Sequence, residues 1–101
     1  MIKVYGSNMC HVCRELKQNF DAYEIRYQFI DINDNLRNLS RFLRLRDTRE
    51  VFNQCREIGD IGVPAMVLDN GEVTLKWREW LENQGYKLIG EGGIACDIPG
   101  E

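Results

Sequence analysis

Residues 2–32 read as a strand, a helix and a second strand, and that order leaves few folds open. Ile2-Lys3-Val4-Tyr5 is short, β-prone and alternating, and Gly6-Ser7-Asn8 ends it. Val12, Leu16, Phe20 and Tyr23 then recur at intervals of three or four, the period of one helix face, and Ser7 or Asn8 is placed to cap its start. Tyr27-Gln28-Phe29-Ile30-Asp31-Ile32 is bulky and apolar and reads as a buried strand. Two such strands joined through a helix require parallel pairing with a right-handed crossover.

The remainder extends this unit. Asn33-Asp34-Asn35 stops the second strand and caps a helix whose face is Leu36, Leu39, Phe42 and Leu43. Asp47-Thr48-Arg49-Glu50 predicts a new N-cap, with Glu50 reaching back as in a capping box. Val51, Phe52, Cys55 and Ile58 form the next face, and Gly59 is the C-terminal stop. Val63-Pro64-Ala65-Met66-Val67-Leu68 is a strand entered through a proline. Asn70-Gly71 is a strong hairpin signal, and Val73-Thr74-Leu75 returns. Trp77, Trp80 and Leu81 mark a last helix ending near Gly85. The expected order is β-α-β-α-α-β-β-α, an α/β chain with a mixed four-stranded sheet and helices on both faces.

Composition bounds the function. A chain of 101 residues is one domain, 1–101, with a core expected over about 1–85 and an irregular tail over 86–101 that is loosely held from Gly90 onward. With 44% hydrophobic residues and a net charge of −3 it suits a soluble globular protein rather than a disordered one. No apolar run approaches the ~20 residues that span a bilayer, and the N-terminus lacks signal-peptide architecture. A cytoplasmic monomer without membrane attachment is expected. Residues 1–56 hold ten Lys/Arg against seven Asp/Glu, and residues 57–101 hold three against nine. The basic excess lies in Arg37, Arg41, Arg44, Arg46, Arg49 and Arg56, which form either an anion-binding face or a solvated helix face. A pI near 5.2 argues against nucleic acid as the main partner.

Four cysteines are the unusual part of the composition, and two of them form Cys10-His11-Val12-Cys13 at the junction of the first strand and first helix. At a helix N-terminus, unpaired N–H groups and the helix dipole favour an anion, so the first cysteine is biased toward thiolate. One turn later Cys13 is close enough to close a disulfide. Cys10 is then the candidate nucleophile and Cys13 the resolving thiol. A zinc site needs two further ligands, and Cys55 and Cys96 are not spaced as a second pair, so no metal is expected. Cys55, on an apolar face, reads as a buried inert thiol, and Cys96 in the glycine-rich tail stays unassigned.

Three segments together resemble a glutaredoxin-like member of the thioredoxin superfamily: Val4–Cys13 as the strand–Cys-x-x-Cys–helix opening, Tyr27–Ile32 as the second strand, and Gly62–Leu68 with Asp69-Asn70-Gly71 as the proline strand and hairpin. The resemblance implies a thioredoxin-like, glutaredoxin-type fold and a cis Val63–Pro64 bond beside Cys10. It also implies a thiol-disulfide oxidoreductase in which Val63 and Pro64, with Asn8 and Met9, contact the substrate. The substrate would be a disulfide-containing protein or a low-molecular-weight thiol, with a thiol or reductase as electron donor. No tightly bound cofactor is implied. Glutathione is a possible co-substrate, but its usual site is poorly matched. His11 and Val12 stand where the family usually has a proline and an aromatic. Asn8 and Met9 replace a common basic residue, and Thr74–Glu79 replaces a Gly-Gly turn followed by an acidic residue. His11 either tunes the Cys10 thiolate or merely faces solvent. The alternative function is a non-enzymatic binder or redox sensor on the same fold, taking an iron–sulfur cluster or an anion.

Overall fold

Alternation along the first strand sorts its side chains between two cores. The structure is a computed structural model and describes residues 1–89. In β1 (Ile2–Gly6), Val4 and Tyr5 are both buried, but they belong to different clusters, as the two-residue period of a strand demands. Val4 packs with Leu16 and Phe20 of α1 (His11–Ala22), Met66 of β3 (Ala65–Val67), and Trp77 and Leu81 of α4 (Trp77–Asn83). Tyr5 packs with Ile30 of β2 (Tyr27–Asp31), Phe42 of α2 (Leu36–Thr48), Phe52 of a 3-10 turn (Glu50–Phe52), Ala65, and Val73 of β4 (Val73–Thr74). Helices therefore cover both faces of one four-stranded sheet.

The strand order is β2-β1-β3-β4. β1 pairs in parallel with β2, from Ile2 opposite Tyr27 to Gly6 opposite Asp31. β3 is antiparallel to both β1 and β4, so the sheet is mixed, as expected. Edge-to-face aromatic contacts fix both cores. Phe20 meets Tyr27 at 5.3 Å and 88°, and Phe42 meets Phe52 at 5.9 Å and 84°. Full burial of each such ring contributes about 1.5–3 kcal/mol. Trp77 and Trp80 both lie against Phe20, which agrees with their reading as core or sheet-covering residues.

The second half of the helical region differs from expectation. Leu36 is 81% exposed and Leu43 is also exposed, so the buried face of α2 is Phe42 with Leu39 and Leu45 beside it. The cap expected at Asp47-Thr48 is absent, and α2 runs on through Thr48. Thr48 turns its hydroxyl back to donate to the Arg44 carbonyl one turn earlier rather than capping a new helix. Glu50 opens the 3-10 turn without a side-chain cap, and α3 (Asn53–Ile58) follows directly. Arg56 takes over the task of satisfying orphan carbonyls at the end of α2, donating to those of Arg46 and Arg49. Gly59 ends α3 at φ 80°, in the left-handed region that favours glycine.

Residues 86–89 are irregular, as expected, and they are tied to α1. Asn19 is fully buried; its Oδ1 accepts the Ile89 N–H at 2.7 Å, and its Nδ2 donates to the Ile89 and Glu15 carbonyls. Tyr23 donates to the Lys87 carbonyl and stacks on Tyr86 at 4.5 Å. Arg78 of α4 reaches Glu15 of α1 at 2.6 Å. The expected tail beyond, 90–101, lies outside the described residues. Asn19→Ala should cost about 1–3 kcal/mol by leaving both backbone groups of Ile89 without partners. Urea melts read the loss, and hydrogen exchange should show the Ile89 amide opening first.

Candidate functional site

The ends of β1 and β2, the start of α1 and the approach to β3 meet at one edge of the sheet. After Gly6 the chain makes a tight turn in which the Cys10 N–H donates to the Ser7 carbonyl at 3.0 Å. Cys10, not Ser7 or Asn8, is the N-cap of α1: its backbone is extended, and its Sγ accepts the Cys13 N–H at 3.4 Å. The expected caps are engaged elsewhere. Ser7 Oγ accepts the Met9 N–H and donates to Asn33 Oδ1, which shapes the turn. Asn8 donates to Asp31 Oδ2 and accepts from Lys17, and its carbonyl accepts from the Arg14 guanidinium.

The two thiols of the pair are free and sit in unlike surroundings. Cys10 is half-buried, whereas Cys13 is fully buried and accepts the Ser7 N–H at 3.4 Å. The Cys13 side chain hydrogen-bonds to Cys10 Sγ. With the backbone N–H groups of Cys13 and Val12 and the nearby Arg14 cation, it outweighs desolvation and holds the Cys10 thiol down at about 6. The same hydrogen bond, then burial and the charges of Cys10 and Asp31, push the Cys13 thiol far above its ordinary value despite the Ser7 N–H. At neutral pH the pair is therefore one thiolate and one thiol. Close approach of the backbone makes this possible, since a Cβ on Gly6 would lie 2.8 Å from Cys13 Sγ and 3.1 Å from the Phe29 ring.

Cys10 opens onto a groove of about 410 Å³. Met9, Ile32, Ile61 and Val63 form its apolar walls, and Ser7, Asn33 and Asp60 supply the polar ones. Of the residues singled out from the sequence, the structure thus brings together Cys10, Cys13, Met9 and Val63. Pro64 is buried beyond Val63, and the bond between them is cis. Asn8 does not line the groove, because its side chain is held by Asp31 and Lys17. His11 is exposed at the first residue of α1. Cys55 is only half-buried: it packs near the Phe52 cluster but also lines a second groove of about 290 Å³ with Ile58, Thr74, Leu75 and Lys76. The reading of Cys55 as a sealed thiol is therefore corrected. Cys96 lies outside the described residues.

Arg14, Asp31, Ile32, Asn33, Asp60 and Ile61 were not singled out beforehand. Asp31 had a signal, because parallel pairing places the end of β2 opposite the end of β1. Asp60 and Ile61, in an irregular connection, had none. The arginine-rich stretch is partly structural. Arg46 donates from Nε and Nη2 to the Asp60 carbonyl and from Nε to that of Ile61, and Arg49 donates to Gly71. Among the described residues no helix is long and apolar enough to cross a membrane, and no group of three or more His, Cys, Asp or Glu is placed to hold a metal ion.

No known protein-family profile matches the chain. A curated relative from Haemophilus influenzae (strain ATCC 51907 / DSM 11121 / KW20 / Rd), described as an uncharacterized protein, is 38% identical over 55 residues. The match covers 54% of this chain and 64% of the relative, so the chain spans less than two thirds of that protein's length.

Alkylation of Cys10, read by mass spectrometry of its peptide, should fall off as pH drops through about 6. Because the folded value lies below the ordinary one of about 8.5, ionisation of Cys10 stabilises the reduced fold fully above pH ~8.5 and not at all below about 6. The stability difference between the chain and Cys10→Ser should shrink across that window in reducing denaturation experiments. Gly6→Ala, which drives a methyl group onto Cys13 Sγ, should cost about 1–3 kcal/mol and shift the alkylation midpoint upward.

Proposed function

We propose that the chain is a thiol-disulfide oxidoreductase, glutaredoxin-like within the thioredoxin-like folds. The observation that carries this reading is the placement of the two cysteines: a half-exposed Cys10 that caps α1 through its Sγ, and a buried Cys13 one turn later whose N–H that sulfur accepts, a geometry that favours the thiolate on Cys10 and the thiol on Cys13. The mixed sheet with the dithiol at the β1–α1 junction, and the cis Val63–Pro64 segment with Val63 in the same groove, support it.

The chemistry follows from the division of labour. Cys10 Sγ attacks one sulfur of a substrate disulfide, forming a mixed disulfide and expelling the other sulfur as a thiolate. That step consumes the negative charge that kept Cys13 protonated, so the Cys13 thiol becomes more acidic as it is needed. It yields its proton to the departing thiolate or to water and attacks Cys10 Sγ. The second substrate half leaves as a thiolate and takes up a proton. Two electrons have passed to the substrate, and a Cys10–Cys13 disulfide remains for a thiol or a reductase to restore. Val63 offers its backbone to an extended substrate lying in the groove. His11 has a role only as a tuning group, and glutathione is a substrate only if the groove admits its carboxylates. The protein works as a cytoplasmic monomer in this reading.

The variants of the pair should behave differently. Cys10→Ser should lower the reduction of a small disulfide by more than about a hundredfold, the scale of losing a nucleophile. Cys13→Ser should accumulate an adduct whose mass is that of the chain plus one substrate half. Undiminished turnover by Cys10→Ser would falsify the reading.

A further inference from the structure

The groove beside Cys10 is electrostatically one-sided. Among the described residues that line it, Asp60 is the only one apart from Cys10 whose side chain carries a formal charge, and Asp60 also borders the second groove. Its Oδ1 accepts the Ile61 N–H at 2.8 Å, which fixes the carboxylate on the turn leading to β3. Cations stand nearby but outside the lining. The Arg46 guanidinium is bound to the Asp60 and Ile61 carbonyls, Arg14 is bound to the Asn8 carbonyl, and Lys17 is bound to Asn8 Oδ1 and lies over the Phe29 ring. A ligand whose sulfur reaches Cys10 therefore meets negative charge along apolar walls, which include the exposed Met9 and Ile61 side chains. Such a site attracts cations and repels carboxylates.

We propose that the groove selects disulfides whose Cys10-bound half carries a cationic group next to apolar surface, with Asp60 as the residue that determines this specificity. The inference rests on the oxidoreductase reading and names its substrate class. Binding places the ammonium or guanidinium of the substrate against the Asp60 carboxylate and its methylene groups against Ile32, Ile61 and Val63. Acidic disulfides, including that of glutathione, bring carboxylates into the same field and react slowly. The sulfur chemistry is unchanged: the dithiol gives two electrons to the disulfide, both substrate halves leave as thiols, and an added dithiol reduces the resulting Cys10–Cys13 bond.

The test compares three small disulfides under one dithiothreitol concentration: bis(2-aminoethyl) disulfide, bis(2-hydroxyethyl) disulfide and glutathione disulfide. Each kcat/KM is divided by the rate of the same disulfide with dithiothreitol alone, which removes differences in leaving-group reactivity. The expected order is cationic, then neutral, then acidic, with the two ends differing by about tenfold or more at low salt and converging as salt is raised. Asp60→Asn keeps the oxygen that accepts the Ile61 N–H and removes the charge, so it should abolish most of that ratio. Asp60→Glu should retain it, and Asp60→Lys should invert it. An equal or acid-preferring ratio in the wild type, or a ratio that Asp60→Asn leaves intact, overturns this proposal while leaving the oxidoreductase reading standing. Inactivity toward all three disulfides overturns both.

Discussion

The parallel ladder between β1 and β2 obliges the chain to cross the sheet between them, and α1 is that crossover. Parallel strands finish at the same edge, so Gly6 and Asp31 arrive together and α1 starts from that edge. β3 runs antiparallel to β1, which means it begins where β1 ends and brings Val63 and Pro64 to the same place. Three separate stretches of sequence are gathered there by strand direction: Gly6 to Cys13, the end of β2, and the approach to β3. The side chains that make the groove then need only local turns to reach it.

Within that edge, two chemically identical residues are made unlike by their surroundings. Cys10 stands at the helix start with N–H groups directed at its sulfur, and Cys13 is sealed beneath it against Gly6 and Ser7. Each shifts the other's proton affinity, one lowered and one raised, chiefly through a shared hydrogen bond. The absence of a side chain on Gly6 is part of the site as much as the sulfurs are. It allows the buried thiol to sit against the end of β1.

Features with a local signature were legible in the sequence. The alternation of β1, the period of Leu16 and Phe20, the Asn35 cap, the Gly59 stop and the dithiol at a strand-helix junction each follow from neighbouring residues, and each stands where expected. What escaped depends on contacts between distant stretches. Leu36 has the right spacing for α2 but lies in the turn before Leu39, the first leucine of that helix to pack on the core. Thr48 has the composition of a cap, but its hydroxyl folds backward and Arg56 serves the helix end instead. Ser7 and Asn8 are better capping residues than cysteine by propensity, yet tertiary partners claim both. Asp60 and Ile61 fall in a connection with no period, and only the carbonyl clamp from Arg46 shows how that connection is held beside Cys10.

The Cys10 Sγ that receives the Cys13 N–H as an anion is also the atom a sulfur-sulfur bond would make neutral. Oxidation of the pair leaves that N–H facing neutral sulfur, a weaker acceptor than the charged one. The energy of helix initiation is thereby entered on the side of the dithiol. Folding and electron affinity are coupled at one atom, and α1 is most firmly started when the protein is reduced.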